Sequence, residues 1–211
     1  MQTRDIFFEN YDEIMPLICP AYNESLEIAA SAIPKNAKSI LDLGIGTGNF
    51  SLKVKEKIPN IKIYGIDLEQ RLLEKTKTKI PGAKLYCKNI LNGDFPKTDY
   101  ILSSFATHHF PTEIRSEELL KIARASKGFV NVDLAIFPNQ TFENIIQLWG
   151  DFAKNSFPEE SVKMLEKEMR TNDNPMPLED IVNLFSSKEF DFKILAIKNS
   201  YVVYRVFNKS I

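Results

Sequence analysis

Three glycines fall within five residues in Gly44-Ile45-Gly46-Thr47-Gly48, directly after the apolar run Ser39-Ile40-Leu41-Asp42-Leu43. Phe50, Val54 and Ile58 then recur at helical spacing, so the segment predicts strand, tight turn and helix. The cycle repeats. Ile61 to Ile66 predicts a second strand, Glu69 to Lys79 a helix with Leu72, Leu73, Thr76 and Ile80 on one face, and Ala83 to Cys87 a third strand. Tyr100 to Ser104 predicts the fourth strand, Glu113 to Ala125 a helix with Leu119, Leu120 and Ala123 inward, and Gly128 to Leu134 the fifth strand. Strands that alternate with helices imply an α/β fold whose parallel sheet carries helices on both faces.

The flanks differ from this core. Tyr11 to Cys19 and Tyr22 to Ile33 read as two helices parted by Pro20, a helical cover on the N-terminal side. Thr141 to Lys167 turns helical and aromatic, and Leu178 to Ser186 forms a further helix after Pro175-Met176-Pro177. Phe190 to Ile197 and Tyr201 to Phe207 alternate around Lys198-Asn199-Ser200 and predict a closing antiparallel hairpin. A chain of 211 residues fits one domain. The expected division is a cover over 1–37, a core over 38–137, a lid insertion over 138–187 and a hairpin over 188–211.

Charge and cysteine content narrow the function classes. Lys plus Arg number 27 against 28 for Asp plus Glu, a formal charge of −1, so no global basic field supports a nucleic-acid partner. The start, Met1-Gln2-Thr3-Arg4-Asp5, lacks the features of a signal peptide, and no apolar run approaches a membrane span, so a cytoplasmic protein is expected. Cys19 and Cys87 are the only cysteines; they are read as reduced, packed thiols, and no metal site is expected from their spacing to His108 and His109. A homodimer remains open.

In open parallel sheets ligands bind beyond the carboxyl ends of the strands, where strand order reverses, and the first strand-to-helix turn lines that crevice. The glycines of this turn let a ligand approach the backbone, and the helix N-terminus favours an anionic group. Asp67, in Gly65-Ile66-Asp67-Leu68, ends the second strand roughly 20 residues further on, the spacing of a carboxylate that accepts ribose hydroxyls. Its alternative reading is a helix cap near Glu69. A dinucleotide fingerprint requires G-x-G-x-x-G, whereas the sixth position here is Asn49. The nicotinamide reading therefore weakens.

Leu41-Asp42-Leu43-Gly44-Ile45-Gly46-Thr47-Gly48 resembles the first signature of class I S-adenosylmethionine-dependent methyltransferases. Gly65-Ile66-Asp67-Leu68 resembles their second, and Asp99 through Phe110 their fourth-strand region; the likeness covers about Ser39 to Leu134 and the final hairpin. It implies a Rossmann-like, seven-stranded, mostly parallel sheet with an antiparallel C-terminal hairpin and a helical insertion before strand six. The cofactor implied is S-adenosyl-L-methionine, leaving S-adenosyl-L-homocysteine. Gly44, Gly46 and Gly48 are then expected along its methionine part, with Asp42 setting the turn and reaching the amino group through water. Asp67 holds the ribose, Leu68 and Ile90 sandwich the adenine, and Ser104 lines the site. Asn89 stands where many relatives carry an acidic adenine partner, with Asp94 as the competing choice. The layout from Phe8 through Pro20-Ala21-Tyr22 is similar to the branch that includes carboxy-S-adenosylmethionine synthase, which implies a contact from Tyr22 to the cofactor carboxylate. That enzyme's extra arginine is missing from Leu178 to Lys188, with Arg170 the nearest substitute, so ordinary methyl transfer is preferred.

His108 and His109 follow the fourth strand and are the candidate catalytic bases, with a structural role as the alternative. Phe142, Trp149, Phe152, Phe157 and Met164 either wall an acceptor pocket or form the packed underside of a lid, the second being favoured. Lys53, Lys55, Lys57 and Lys62 are read as a solvated face rather than an RNA track. Asn131 and Asp133 either orient the acceptor or satisfy loop amides. The leading expectation is methyl transfer to a small molecule. Behind it stand a tRNA wobble-uridine enzyme of the carboxy-S-adenosylmethionine synthase type and a non-catalytic cofactor-binding regulator.

Overall fold

The computed structural model describes residues 9–209, so Phe8 and the first residues of the chain lie outside the described part. The chain forms α1 (Tyr11–Ile18), α2 (Tyr22–Ser31), β1 (Ser39–Leu43), α3 (Asn49–Lys57), β2 (Lys62–Asp67), α4 (Gln70–Lys79) and β3 (Lys84–Cys87). It continues with β4 (Tyr100–Ser104), α5 (Thr112–Arg124), β5 (Gly128–Ile136), α6 (Phe142–Ala153) and α7 (Glu159–Asn172). The last elements are β6 (Met176–Pro177), α8 (Leu178–Phe185), β7 (Phe190–Lys198) and β8 (Tyr201–Asn208). Short 3-10 turns follow β3 at Ile90–Asn92 and β4 at Thr107–His109.

The sheet runs β3-β2-β1-β4-β5-β8-β7, the seven strands expected, with the two-residue β6 pairing in parallel with β5 off this path. β1 to β5 are parallel and β8 lies antiparallel between β5 and β7. After β1 the chain winds outward through β2 and β3, and then returns to the other side of β1 for β4 and β5. Helical connections on either side of that reversal leave a crevice above the carboxyl ends of β1 and β4.

Core packing follows from strand burial. β1 and β5 are covered on both faces, which explains why each reads as a nearly continuous apolar run instead of an alternating one. Ile40, Leu102 and Val130 face one layer with Leu26, Phe50, Val54 and Trp149, while Leu41, Ile101 and Phe129 face the other with Leu119, Ile122 and Phe185. Leu72, Leu73, Thr76 and Ile80 are all buried, as the helical period requires. One packing expectation fails. Cys19 is fully buried, but Cys87 is exposed because β3 is an edge strand with a single neighbour.

Candidate active site

The glycine turn is held by the strand beside it. Gly44 N and Ile45 N both donate to Ile66 O, at 2.8 and 3.0 Å, and all three glycines of the turn take positive φ. Gly44 has φ +70°, and a Cβ there would stand 2.5 Å from the Ala106 Cβ, so a side chain would collide with the loop leaving β4. At Gly46, φ +54°, an added Cβ would meet nothing nearer than Gly44 O at 4.0 Å. The turn thus presents bare backbone to an open side.

Asp67 closes this arrangement. Its Oδ2 accepts from Gly46 N at 2.7 Å and its Oδ1 from Glu69 N at 2.9 Å. The capping interaction near Glu69 and the approach to the glycine turn therefore coexist on one carboxylate. Burial pushes its pKa above the ordinary value, against those backbone donors. The adjoining Leu68 is 68% exposed, an apolar side chain with a bare face beside the turn. Ile90 is half-buried, and its Cδ1 lies 3.9 Å from where a Gly44 Cβ would be, so the residues after β3 do converge on the turn. Asn89 caps the 3-10 turn, its Oδ1 accepting from Leu91 N at 2.9 Å. Asp94 is exposed and its backbone carbonyl accepts from Lys88 Nζ.

Asp42 lies beneath the turn and is buried. Ser51 Oγ donates to its Oδ2 at 2.7 Å, while Oδ1 has no hydrogen-bond partner among the described residues. Burial lifts its pKa to about 7, with Ser51 opposing and the nearby Asp67 charge adding to the rise. Tyr22 opens α2, buried, with its hydroxyl accepting from Asn49 Nδ2 at 3.2 Å.

Two features of this corner have no simple sequence signal. Asp12 of α1 accepts hydrogen bonds from Thr47 and Asn49 of the turn, and from Lys79 at 2.5 Å. Burial opposes the Asp12 charge, but Lys79 and Thr47 outweigh it and hold the carboxyl below its usual range. Phe105, directly after the half-buried Ser104, adopts φ +51°. Its ring lies 5.7 Å from Tyr22, 6.1 Å from Trp149 and 5.2 Å from Tyr201, joining cover, insertion and hairpin. Both residues read as unremarkable members of apolar or amphipathic runs, and only long-range packing distinguishes them.

His108 and His109 are placed differently from one another. His108 is buried; its Nδ1 contacts Asp133 Oδ1, and its Nε2 lies 3.5 Å from Asp173 Oδ1. Burial disfavours its charge, but Asp133 and Asp173 outweigh this and raise its pKa to about 10. His109 keeps half of its side chain exposed, and burial together with the neighbouring His108 lowers its pKa. Asp133 also accepts from Thr107 Oγ1 and from Leu134 N at 2.9 Å, and Asn131 donates to Thr107 Oγ1 and Tyr204 Oη. The sequence pattern puts these two residues at the strand end, but β5 continues to Ile136, and both satisfy neighbouring groups from inside the strand.

The 138–187 segment turns aromatic side chains to the core. Trp149 is buried and donates to Ser200 Oγ at 2.7 Å, Phe142 and Phe157 pack on the same core, and Met164 is 37% exposed. Below it, a cavity of about 280 Å³ is lined in part by Arg115, Phe142, Asp173 and Met176. Arg170 pairs with Glu143 and Glu166 on the surface, while Lys53 and Lys57 pair with Glu27. Among the described residues, no helix is long and apolar enough to cross a membrane.

Comparisons with known proteins agree with this architecture. Residues 40–128 match a family described as a methyltransferase domain. An uncharacterized methyltransferase from Geobacillus sp. (strain WCH70) is 31% identical over 149 residues, spanning 66% of this chain and 66% of its own length. A carboxy-S-adenosyl-L-methionine synthase from Campylobacter hominis is 24% identical over 208 residues, spanning 93% of this chain and 88% of its own length. Among solved structures, the plantazolicin methyltransferase BpumL, determined with SAH, superposes with a TM-score of 0.69 at 15% identity, covering 97% of this chain and 90% of that one. Human N-acetylserotonin methyltransferase, determined with SAM, gives a TM-score of 0.64 at 15% identity, covering 96% and 55%. Strand order, glycine turn and sequence relatives coincide, and the chain belongs to the class I S-adenosylmethionine-dependent methyltransferases.

Proposed function

We propose that this chain binds S-adenosyl-L-methionine in the crevice above β1, β2 and β4, and directs its methyl group to a small-molecule acceptor, releasing S-adenosyl-L-homocysteine. The observation that carries the reading is the Asp67 carboxylate bonded to Gly46 N, beside the exposed Leu68. A carboxylate oxygen has a second lone pair, so Asp67 can accept ribose hydroxyls without releasing the turn. Leu68 and Ile90 supply apolar faces suited to an adenine ring. Asn89 is the candidate partner for the adenine amine, and Ser104 for the site wall. The unpartnered Oδ1 of Asp42 is a buried acceptor close to the turn, suited to an ammonium reached directly or through water. Tyr22 and the backbone of Gly44, Gly46 and Gly48 complete the cradle for the amino-acid part.

The cofactor supplies an activated methyl group on a sulfonium, with the thioether as its own leaving group. The chain's work is alignment and exclusion of water. Tyr22, Phe105 and Trp149 form an aromatic wall between the cover and the insertion, and the cavity lined by Phe142 and Met176 offers apolar contacts to an acceptor. An acceptor hydroxyl, thiol or ammonium must also lose a proton. His109 is the member of the histidine pair suited to take it, because its lowered pKa leaves a lone pair at neutral pH. His108 is held between Asp133 and Asp173 and serves to position the loop.

Calorimetry with S-adenosylmethionine and S-adenosylhomocysteine tests the cofactor site. Asp67→Ala removes a charged acceptor worth about 1.5–3 kcal/mol for each bond, so affinity is expected to fall roughly 100-fold. No heat from either compound, or unchanged affinity in the variant, overturns the reading. Incubation with methyl-labelled cofactor and fractionated cell extract then separates a small-molecule enzyme from a tRNA enzyme and from a binder that labels nothing. The pairing of Lys53 and Lys57 with Glu27 favours the first.

A further inference from the structure

We infer that His108, His109 and Asp173 form a site for one divalent transition-metal ion of the zinc class, at the wall of the cavity beneath the insertion. The three residues come from two segments far apart in sequence, the turn after β4 and the end of α7, which Asn174 N joins by donating to His108 O at 2.9 Å. One donor atom from each lies within 4.8 Å of the others. His108 Nε2 is 3.5 Å and His109 Nδ1 is 3.4 Å from the same Asp173 Oδ1. A tetrahedral ion with bonds of about 2.0–2.2 Å sets its ligand atoms about 3.3–3.6 Å apart, so the two spacings fit its edges.

The surroundings are arranged for ligation as well. Asp133 occupies His108 Nδ1 and is itself held by Thr107 Oγ1 and Leu134 N, which leaves Nε2, whose proton the ion displaces to solvent, as the ligating nitrogen of a carboxylate–histidine–metal arrangement. In the structure His109 Nδ1 donates to the Asn172 carbonyl at 3.0 Å; ligation moves that proton to Nε2, and the freed carbonyl oxygen or a water completes four-coordination. Two imidazoles with one or two oxygens suit zinc, cobalt or nickel better than magnesium or calcium. The half-exposed His109 side chain gives the ion a way in, and Asp173 places it beside the cavity. Without the ion, hydrogen bonds and ion pairs alone link His108 to Asp133 and Asp173. With it, the insertion is tied to the β4 loop by coordinate bonds, and His109 can act as the acceptor's base only while the ion is absent.

Untagged, chelator-treated protein is titrated with zinc by calorimetry and with cobalt by visible absorption. The expected result is one ion per chain and intense cobalt bands of tetrahedral type, with affinity at least about tenfold weaker in both His109→Ala and Asp173→Asn. Circular dichroism checks each variant; His109 is half exposed, so His109→Ala decides alone should Asp173→Asn unfold. No stoichiometric binding, the weak spectrum of aqueous cobalt, or full affinity in a folded His109→Ala protein overturns the proposal. Metal binding is read without S-adenosylmethionine, so its failure leaves the cofactor reading standing.

Discussion

Asp42 shows how a single buried group couples the glycine turn to solution conditions. Its pKa of about 7 in the folded chain stands far above the ordinary carboxylate value of 3.8. The folded state therefore holds a proton that the unfolded state has released, and stability falls with rising pH between those values. The stabilisation is complete below the unfolded pKa and is lost as pH passes about 7. Thermal melts of the cofactor-free protein between about pH 4.5 and 7 should decline, and Asp42→Asn should flatten this part of the curve. A cation docked at Oδ1 stabilises the charged form, so affinity for S-adenosylmethionine should rise over the same interval. At this scale the sequence foretold that Asp42, Asp67 and the glycines lie at one strand-end turn, because each sits within a few residues of a strand end. It could not place Asp12 or Phe105 at the turn, since the partners of each are dozens of residues away.

At the scale of elements, the β1 turn and the loop after β4 are packed against each other at Gly44 and Ala106. Gly44→Ala faces both a 2.5 Å collision and a left-handed backbone, the latter alone costing about 1–2 kcal/mol. The variant should melt lower and bind cofactor poorly. Ala106→Gly relieves the collision and leaves the backbone strain, so the double variant should recover part of both losses, a coupling that a double-mutant cycle measures. Full additivity would mean that the two loops move independently. Helix and strand periods foretold nearly all the elements in the right order, since apolar spacing is a local property. The two-residue β6 was not foretold, because Met176–Pro177 becomes a strand only by pairing with Ala135 and Ile136. The same holds for the exposure of Cys87, which depends on β3 lying at the sheet edge.

Across the whole molecule, the crevice exists because helices on both faces hold β1 and β4 while the chain reverses direction between them. A ligand gripped by the β1 turn, β2 and the β4 loop bridges segments that part on unfolding. S-adenosylmethionine at about 100 times its Kd should stabilise the fold by about 2.7 kcal/mol, raising Tm by roughly 5–11 °C for a chain of this size. Scanning calorimetry or dye-monitored melting would check this, and an unshifted Tm would contradict specific binding to the folded state. The amino-acid sequence by itself determined the α/β alternation, the glycine turn and the carboxylate after it, because periodicity, backbone freedom and strand-end spacing act over a few residues. Tertiary structure alone decided that His108 lies between Asp133 and Asp173, that Asp12 reaches Thr47 and Lys79, and that Phe105 joins three segments. Those contacts arise from packing distant segments around one sheet, and local sequence carries no record of which distant side chain will arrive.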